Sequence, residues 1–482
     1  MKRSLAAVLL CLLSCSLSAQ VNMEMERTVR EVAASQGMQH ASLSVCLYDV
    51  ATNQKVYGYD EQRSMIPASV EKLITTGVGF AQLGKSFRFT TRLLMYGDVD
   101  REGVLKGDLY IVGGGDPLLG SYRYRQTTAD TLFTLWTRAL QSRGVQRVDG
   151  RIRYVTSIFD GPQQHDSWQH GDVGNYYGTG AVGLNFHENM YFAHFNAGSK
   201  VGAAATLCRT VPKNLDLVEV NEVGTGVAGS GDGVVAYGLP WFSERFYRGT
   251  VPLGAKDFAV RIALPQPAKV CADQLSTFLR THGISVAAAA EEALSSPDSV
   301  RTVSEYFSPY YKTIAQYTNH TSNNIYAEAI FKYLGYKQSG VGSFESGREA
   351  IESYLKTKDL DLSGVSIIDG CGLSRMNRTT ADFMCRYLSV MAKESFADDF
   401  RQSLPRVGES GTAKNLLPTL PKDITVMLKT GTMDGVKCYA GYFVGRQGTL
   451  MSFAVFANNY DCSSKQATEA LNKILQKMAT SY

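Results

Sequence analysis

Ser69 and Lys72 stand three residues apart in Pro67-Ala68-Ser69-Val70-Glu71-Lys72, a stretch that reads as the first turn of a helix. At that spacing the two side chains share a face and can hydrogen-bond. A serine attacks a carbonyl only if something removes its proton, and a lysine kept neutral by burial or by a neighbouring cation can do so. A helix N-terminus adds backbone N–H groups and a positive dipole end, which suit a developing oxyanion. The pair alone is weak evidence, because Ser353 and Lys356 repeat the pattern with no supporting context. Two further segments change the balance: Ser322-Asn323-Asn324 between two expected helices, and Lys429-Thr430-Gly431-Thr432 at the end of an expected strand. In isolation each has an ordinary explanation, a helix cap and a strand-end charge.

The elements around these motifs follow from hydrophobic periodicity. Residues 23–36 read as a helix, 41–48 as a strand with Leu43, Val45 and Leu47 on one side, and 55–59 as its hairpin partner. A helix then carries Ser69 and Lys72, with Val70, Leu73, Ile74, Gly77 and Phe80 at helical spacing until Gly84. From 87 to about 300 the texture turns to short strands and Gly-rich turns, with one clear helix at 129–142. Helices are expected at 309–318, 324–334, 343–356 and 380–393, then strands at 424–430, 437–444 and 450–458, and a last helix at 465–478. Two early strands and three late ones can form one five-stranded antiparallel sheet flanked by helices, an α+β architecture made from both ends of the chain. The expected division is 20–86 with 300–482 as one domain, and 87–299 as inserted, mostly β material in two subdomains.

Composition limits the function classes. The 482 residues allow about three domains at roughly 150 residues each. With 44% hydrophobic and 20% charged residues the chain is neither disordered nor fibrous. The charge is 49 minus 45, or +4, without a dense basic block, which argues against nucleic acid as a partner. Residues 1–19 read as a signal peptide: Lys2 and Arg3, an apolar run from Leu5 to Leu13, then small residues to Ala19. That predicts an exported protein with no transmembrane span in the mature chain; a lipoprotein acylated at Cys15 is the rival reading. Of nine cysteines, the seven beyond this segment are scattered, with no C-x-x-C and no metal-ligand spacing, so neither a metal nor a disulfide framework is expected.

In this order, S-x-x-K, S-x-N and K-T-G resemble the serine acyl-enzyme superfamily of penicillin-binding proteins and class A and C β-lactamases. Spacing narrows the likeness, since 322 minus 72 leaves 250 residues between the first two motifs, far more than a β-lactamase allows. The chain resembles the D-alanyl-D-alanine carboxypeptidase/endopeptidase family of low-molecular-mass class C penicillin-binding proteins, peptidase family S13. Other stretches are similar to that family: Gly107 to Tyr110, Gly115-Asp116-Pro117, Tyr176-Tyr177-Gly178, Asn185 to Asn189, Asp369 to Arg375, and Ala440-Gly441-Tyr442. Cys371 departs from it, standing where the family usually has Ser.

The resemblance implies a serine carboxypeptidase that hydrolyses peptidoglycan peptides and is acylated by β-lactam antibiotics, without metal or cofactor. Carried over by motif, Ser69 is the nucleophile and Lys72 its base; Ser322 and Lys429 pass the proton to the departing D-alanine. Asn324 holds the substrate amide. The N–H groups of Ser69 and Thr432 form the oxyanion hole, Thr430, Gly431 and Thr432 bind substrate, and the hydroxyls of Thr430 and Thr432 meet its terminal carboxylate. Asp172, before Tyr176 and Tyr177, resembles the residue that binds the free amino end of the stem peptide's diamino acid; a solvated turn aspartate is the alternative. The chain has no G-x-S-x-G, H-E-x-x-H, P-loop or dinucleotide fingerprint. Two rival functions stay open, a β-lactamase or esterase on the same scaffold and a cell-wall binding protein without catalysis.

Overall fold

The computed structural model describes residues 21–445 and 448–482. The expected signal peptide and Cys15 lie outside the described residues. Two compact units are present: one holds residues up to Lys85 with Ala315–Ser322 and Ile351–Tyr482, the other Ser86–Ile314 with Asn323–Ala350.

The first unit is built on the expected five-stranded sheet. Its strands are β1 (Ser42–Asp49), β2 (Gln54–Tyr59), β3 (Thr425–Met433), β4 (Val436–Val444) and β5 (Leu450–Asn458), in the order β3-β4-β5-β1-β2. Every neighbouring pair is antiparallel. Side chains alternate between faces along a strand, yet β4 and β5 are buried at almost every position. That pattern requires cover on both faces. On one, Leu43, Val45 and Leu47 meet Met25, Val29 and Val32 and the C-terminal helix α5 (Ser464–Ser481) through Leu471, Ile474, Leu475 and Met478. Each such side chain contributes about 1.5–3 kcal/mol when fully buried. On the other lies α4 (Ala381–Met391), held by Tyr442 Oη donating to the Leu388 carbonyl at 2.7 Å and Tyr48 Oη donating to Asp382 at 2.8 Å.

The second unit is mainly β, with three-, three-, four- and five-stranded sheets and, among the described residues, three apolar clusters, two large and one small cluster of Leu94, Tyr110 and Val155. Its largest sheet is tied through strand Arg301–Phe307, which runs antiparallel to Thr90–Met95. One helix there was not foreseen from texture, Pro267–Thr281. Its signature is present in retrospect: Pro267 in the first turn, then Ala268, Cys271, Ala272, Leu275 and Leu279 buried at helical spacing. Among the described residues no helix is long and apolar enough to cross a membrane.

Candidate active site

Ser69 does not sit in a regular α-helix. Residues Ala68–Glu71 form one 3₁₀ turn, and α1 (Lys72–Leu83) begins at the lysine and ends at Gly84, which has φ 82°. Side chains three apart eclipse in a 3₁₀ turn, so the tighter winding serves the pair: Lys72 Nζ lies 2.9 Å from Ser69 Oγ. The turn is fixed to the sheet from behind. Asn458 on β5 accepts from the Ile66 N–H at 2.7 Å and donates to the Ile66 carbonyl at 3.2 Å. Ala68 has φ 45°, a left-handed conformation that a non-glycine residue adopts only when its surroundings impose it.

Lys72 is fully buried, and its Nζ also donates to the Cys371 carbonyl at 2.6 Å. That carbonyl belongs to the loop 369–375, which is organised by Asp369. The carboxylate accepts from the N–H groups of Gly372 at 2.7 Å and Ser374 at 2.6 Å, and from Asn377 at 2.9 Å. Thr75 on α1 donates to the Gly370 carbonyl at 2.7 Å, joining loop and helix. Cys371 therefore contributes its main chain, which answers how the position tolerates a thiol.

A second hydroxyl–lysine pair faces the same interior. Lys429 Nζ on β3 donates to Ser322 Oγ at 2.9 Å and to the Thr430 carbonyl at 2.6 Å. Ser322 has φ 57° and follows α2 (Tyr311–Thr321). That helix is anchored by Asn319, whose amide donates to Thr76 and Ser403, each at 3.1 Å. Lys429 is fully buried, and desolvation, reinforced by the charge of Lys72, holds its pKa well below the usual lysine range. Two ammonium groups cannot both be cheaply charged there, so a proton is readily surrendered by one of them.

Gly431 brings β3 against the nucleophile's turn; a Cβ there would lie 2.6 Å from the Pro67 carbonyl and 3.2 Å from the Ser69 nitrogen. The Thr430 hydroxyl donates to Thr412 Oγ1 at 2.8 Å. The Thr432 hydroxyl accepts from Lys437 Nζ at 3.0 Å. Lys437, directly opposite Thr432 in the β3–β4 hairpin, was missed in the sequence. The signal was available: a lysine five residues past the K-T-G-T segment, across a tight turn, must lie beside it.

Asn324 and Asp172 belong to the second unit. Asn324 opens α3 (Asn324–Ser339), and its amide donates to the Tyr177 carbonyl at 2.7 Å. The Tyr177 hydroxyl in turn donates to Asp172 at 3.2 Å. One tyrosine thus touches both residues. The Tyr176 ring is covered on one face by Arg261, 3.6 Å from the centroid. Ser353 and Lys356 are exposed, as two solvent-facing helix residues would be. His165 Nδ1 lies 2.8 Å from Ser167 Oγ, a local contact between residues two apart.

The arrangement can do acyl transfer: a hydroxyl against a buried amine, a second hydroxyl against a lysine of lowered basicity, and backbone N–H groups beside the first hydroxyl. The family model described as the D-Ala-D-Ala carboxypeptidase 3 (S13) family matches residues 25–480. A D-alanyl-D-alanine carboxypeptidase of Actinomadura sp. (strain R39) is 26% identical over 460 residues, covering 91% of this chain and 81% of the relative. The D-alanyl-D-alanine carboxypeptidase DacB of Haemophilus influenzae is 23% identical over 418 residues, covering 86% of this chain and 84% of its own. Among solved structures, penicillin binding protein 4 (dacB) from Haemophilus influenzae has a TM-score of 0.79 at 22% identity, covering 93% of this chain and 98% of that one.

Proposed function

Because the chain belongs to the D-Ala-D-Ala carboxypeptidase 3 (S13) family, we propose that it is a serine carboxypeptidase that removes D-alanine from peptides ending in D-Ala-D-Ala and is acylated by penicillin on Ser69. The observation that carries this is the pair of hydroxyl–lysine contacts, Ser69 to Lys72 and Ser322 to Lys429, each 2.9 Å. In the reaction, Ser69 Oγ attacks the carbonyl of the terminal peptide bond while its proton moves to Lys72 Nζ along the existing contact. The N–H groups of Ser69 and Thr432 receive the oxyanion. Ser322, backed by Lys429, delivers a proton to the leaving amine, and Asn324 holds the substrate's amide. The terminal carboxylate meets Thr430 and Thr432, the latter held by Lys437 Nζ at 3.0 Å. Water then hydrolyses the acyl-enzyme, and no residue is assigned as its dedicated base.

The finer reading is that the protein is exported, works outside the cytoplasm on peptidoglycan stem peptides, and also cleaves crosslinks as an endopeptidase. Asp172 would take the free ammonium of the stem peptide's diamino acid. Support comes from the apolar leader-like run at 5–13 and from the acidic residue beside the tyrosine pair.

The test is mass spectrometry after incubation with penicillin, together with D-alanine release from a D-Ala-D-Ala peptide. One stable adduct on Ser69, abolished along with peptidase activity in Ser69→Ala, is expected. An adduct retained in Ser69→Ala would overturn the assignment. Rapid penicillin turnover without an accumulating adduct would favour the β-lactamase reading, and neither adduct nor turnover would favour the binding protein.

A further inference from the structure

Glu188 lies in the 185–189 stretch, whose likeness to the family the reaction above leaves without a role. It is 1% exposed, yet five donor groups converge on its carboxylate. Ser121 Oγ donates at 2.6 Å, Arg123 Nε and Nη2 at 2.5 and 2.8 Å, Tyr326 Oη at 2.8 Å and Asn323 Nδ2 at 3.4 Å. The backbone that presents it is unusual, with His187, Glu188 and Asn189 at φ 53°, 57° and 49°. Three successive non-glycine residues in the left-handed region persist only where the surroundings over-determine them. Here Asn189 does so, accepting from the Phe186 N–H at 3.0 Å and donating to the Gly180 carbonyl at 3.0 Å and to Asn185 at 2.8 Å.

Two of the five donors, Asn323 and Tyr326, flank Asn324 on the first turn of α3. Asn323 is the cap of that helix, its side-chain oxygen accepting from the Tyr326 N–H. Because Glu188 takes the Asn323 amide nitrogen, that amide is turned with its oxygen toward the helix. The Tyr326 ring is tied to the same carboxylate one turn in. We propose that Glu188 is a positioning residue for Asn324: its carboxylate, held by these donors, fixes the helix start and so the direction from which the Asn324 amide meets substrate. The inference rests on the reading that Asn324 contacts substrate. It requires a carboxylate and not merely a polar group. An ionised carboxylate is acceptor-only with about four lone-pair sites, whereas glutamine offers one oxygen and turns an NH₂ toward the remaining donors.

The experiment is a double-substitution cycle on the full chain, reading the rate of Ser69 acylation by penicillin and kcat and KM for a D-Ala-D-Ala peptide, with thermal melting alongside. Glu188→Gln is expected to slow acylation and lower kcat by about ten- to a hundredfold, the scale of a displaced catalytic contact, while adduct stoichiometry still reaches completion. In an Asn324→Ala background the same change should slow acylation by less than about twofold, since coupled residues do not add. Equal factors in both backgrounds, or a lowered Tm with wild-type acylation, would overturn the proposal and leave Glu188 a structural residue. Should Glu188→Gln not fold, Tyr326→Phe carries the same cycle. It should give a several-fold slowing that vanishes with Asn324→Ala, and unchanged acylation would overturn the proposal. No adduct in the wild-type protein would instead overturn the functional reading on which it rests.

Discussion

Replacing Gly431 by alanine tests the contact between the K-T-G strand and the nucleophile's turn without touching any polar side chain. Gly431 is an ordinary strand residue, so the backbone accepts alanine without strain, and the added methyl is the whole perturbation. That methyl would sit 2.6 Å from the Pro67 carbonyl oxygen, 3.2 Å from the Ala68 Cβ and 3.2 Å from the Ser69 nitrogen. Carbon and oxygen rest about 3.3 Å apart or more, so β3 and the turn must separate by about 0.7 Å. Neither side yields freely: β3 is paired along its length with β4, and Ile66 is pinned by Asn458. A displacement near 1 Å in a reacting geometry costs on the order of 10²-fold in rate, and overpacking costs about 1–3 kcal/mol of stability. The expected outcome is Ser69 acylation by penicillin slowed on the order of a hundredfold, in a protein that still melts cooperatively. Gly435→Ala, in the same hairpin, is the control. Its φ of +68° makes alanine strained, but nothing approaches the methyl closer than 4.0 Å, so stability should fall by about 1–2 kcal/mol with acylation unchanged. A Gly431→Ala protein acylated within twofold of wild type would show that the N–H groups of Ser69 and Thr432 do not act together.

Lys72→Arg should abolish acylation nearly as completely as Lys72→Ala, because a guanidinium keeps the charge but cannot accept the serine's proton; a near-normal acylation rate would move the base to Lys429. Asp172→Ala should lower kcat/KM about ten- to a hundredfold for peptides carrying a free diamino-acid ammonium, the cost of one charge-assisted contact. Penicillin acylation should change little, and equal losses would make Asp172 a support for Tyr177. Asp116 gives a pH dependence: it is fully buried, its Oδ1 accepts from the Leu118 N–H at 2.9 Å, and burial raises its pKa to about 7. Between the ordinary value and about 7 the folded protein keeps a proton that the unfolded chain releases. This stabilisation is therefore complete below about pH 4 and lost as pH rises through about 7, by at most about 1.4 kcal/mol per pH unit. Asp116→Asn should flatten that part of the profile in urea unfolding from pH 4 to 8, and an unchanged slope would refute it.

The five-stranded sheet was legible because its strands announce themselves: strand-like stretches at 424–430, 437–444 and 450–458, and one hairpin upstream of Ser69. Such local patterns survive without tertiary context. What the pattern could not carry were the contacts made across hundreds of residues. The Cys371 carbonyl reaches Lys72 over 299 positions, and Glu188 reaches Tyr326 over 138. Nor could periodicity distinguish the 3₁₀ turn at Ala68–Glu71 from the α-helix that follows, because both place positions three apart together. Parallel pairing inside the second unit, such as Val218–Gly226 with Glu244–Pro252, likewise leaves no signature in a single strand.

The acceptor above Lys72 is a main-chain oxygen, and that has an evolutionary consequence under antibiotic selection. No point substitution deletes a carbonyl, so position 371 can exchange one small side chain for another while the lysine keeps its partner. Constraint passes instead to the next residue. Gly372 has φ +83°, and a Cβ there would fall 1.9 Å from the Ala68 carbonyl oxygen. A lineage seeking to escape acylation by loosening this loop would have to alter Gly372 or Asp369, and would deform the peptidase together with the drug target.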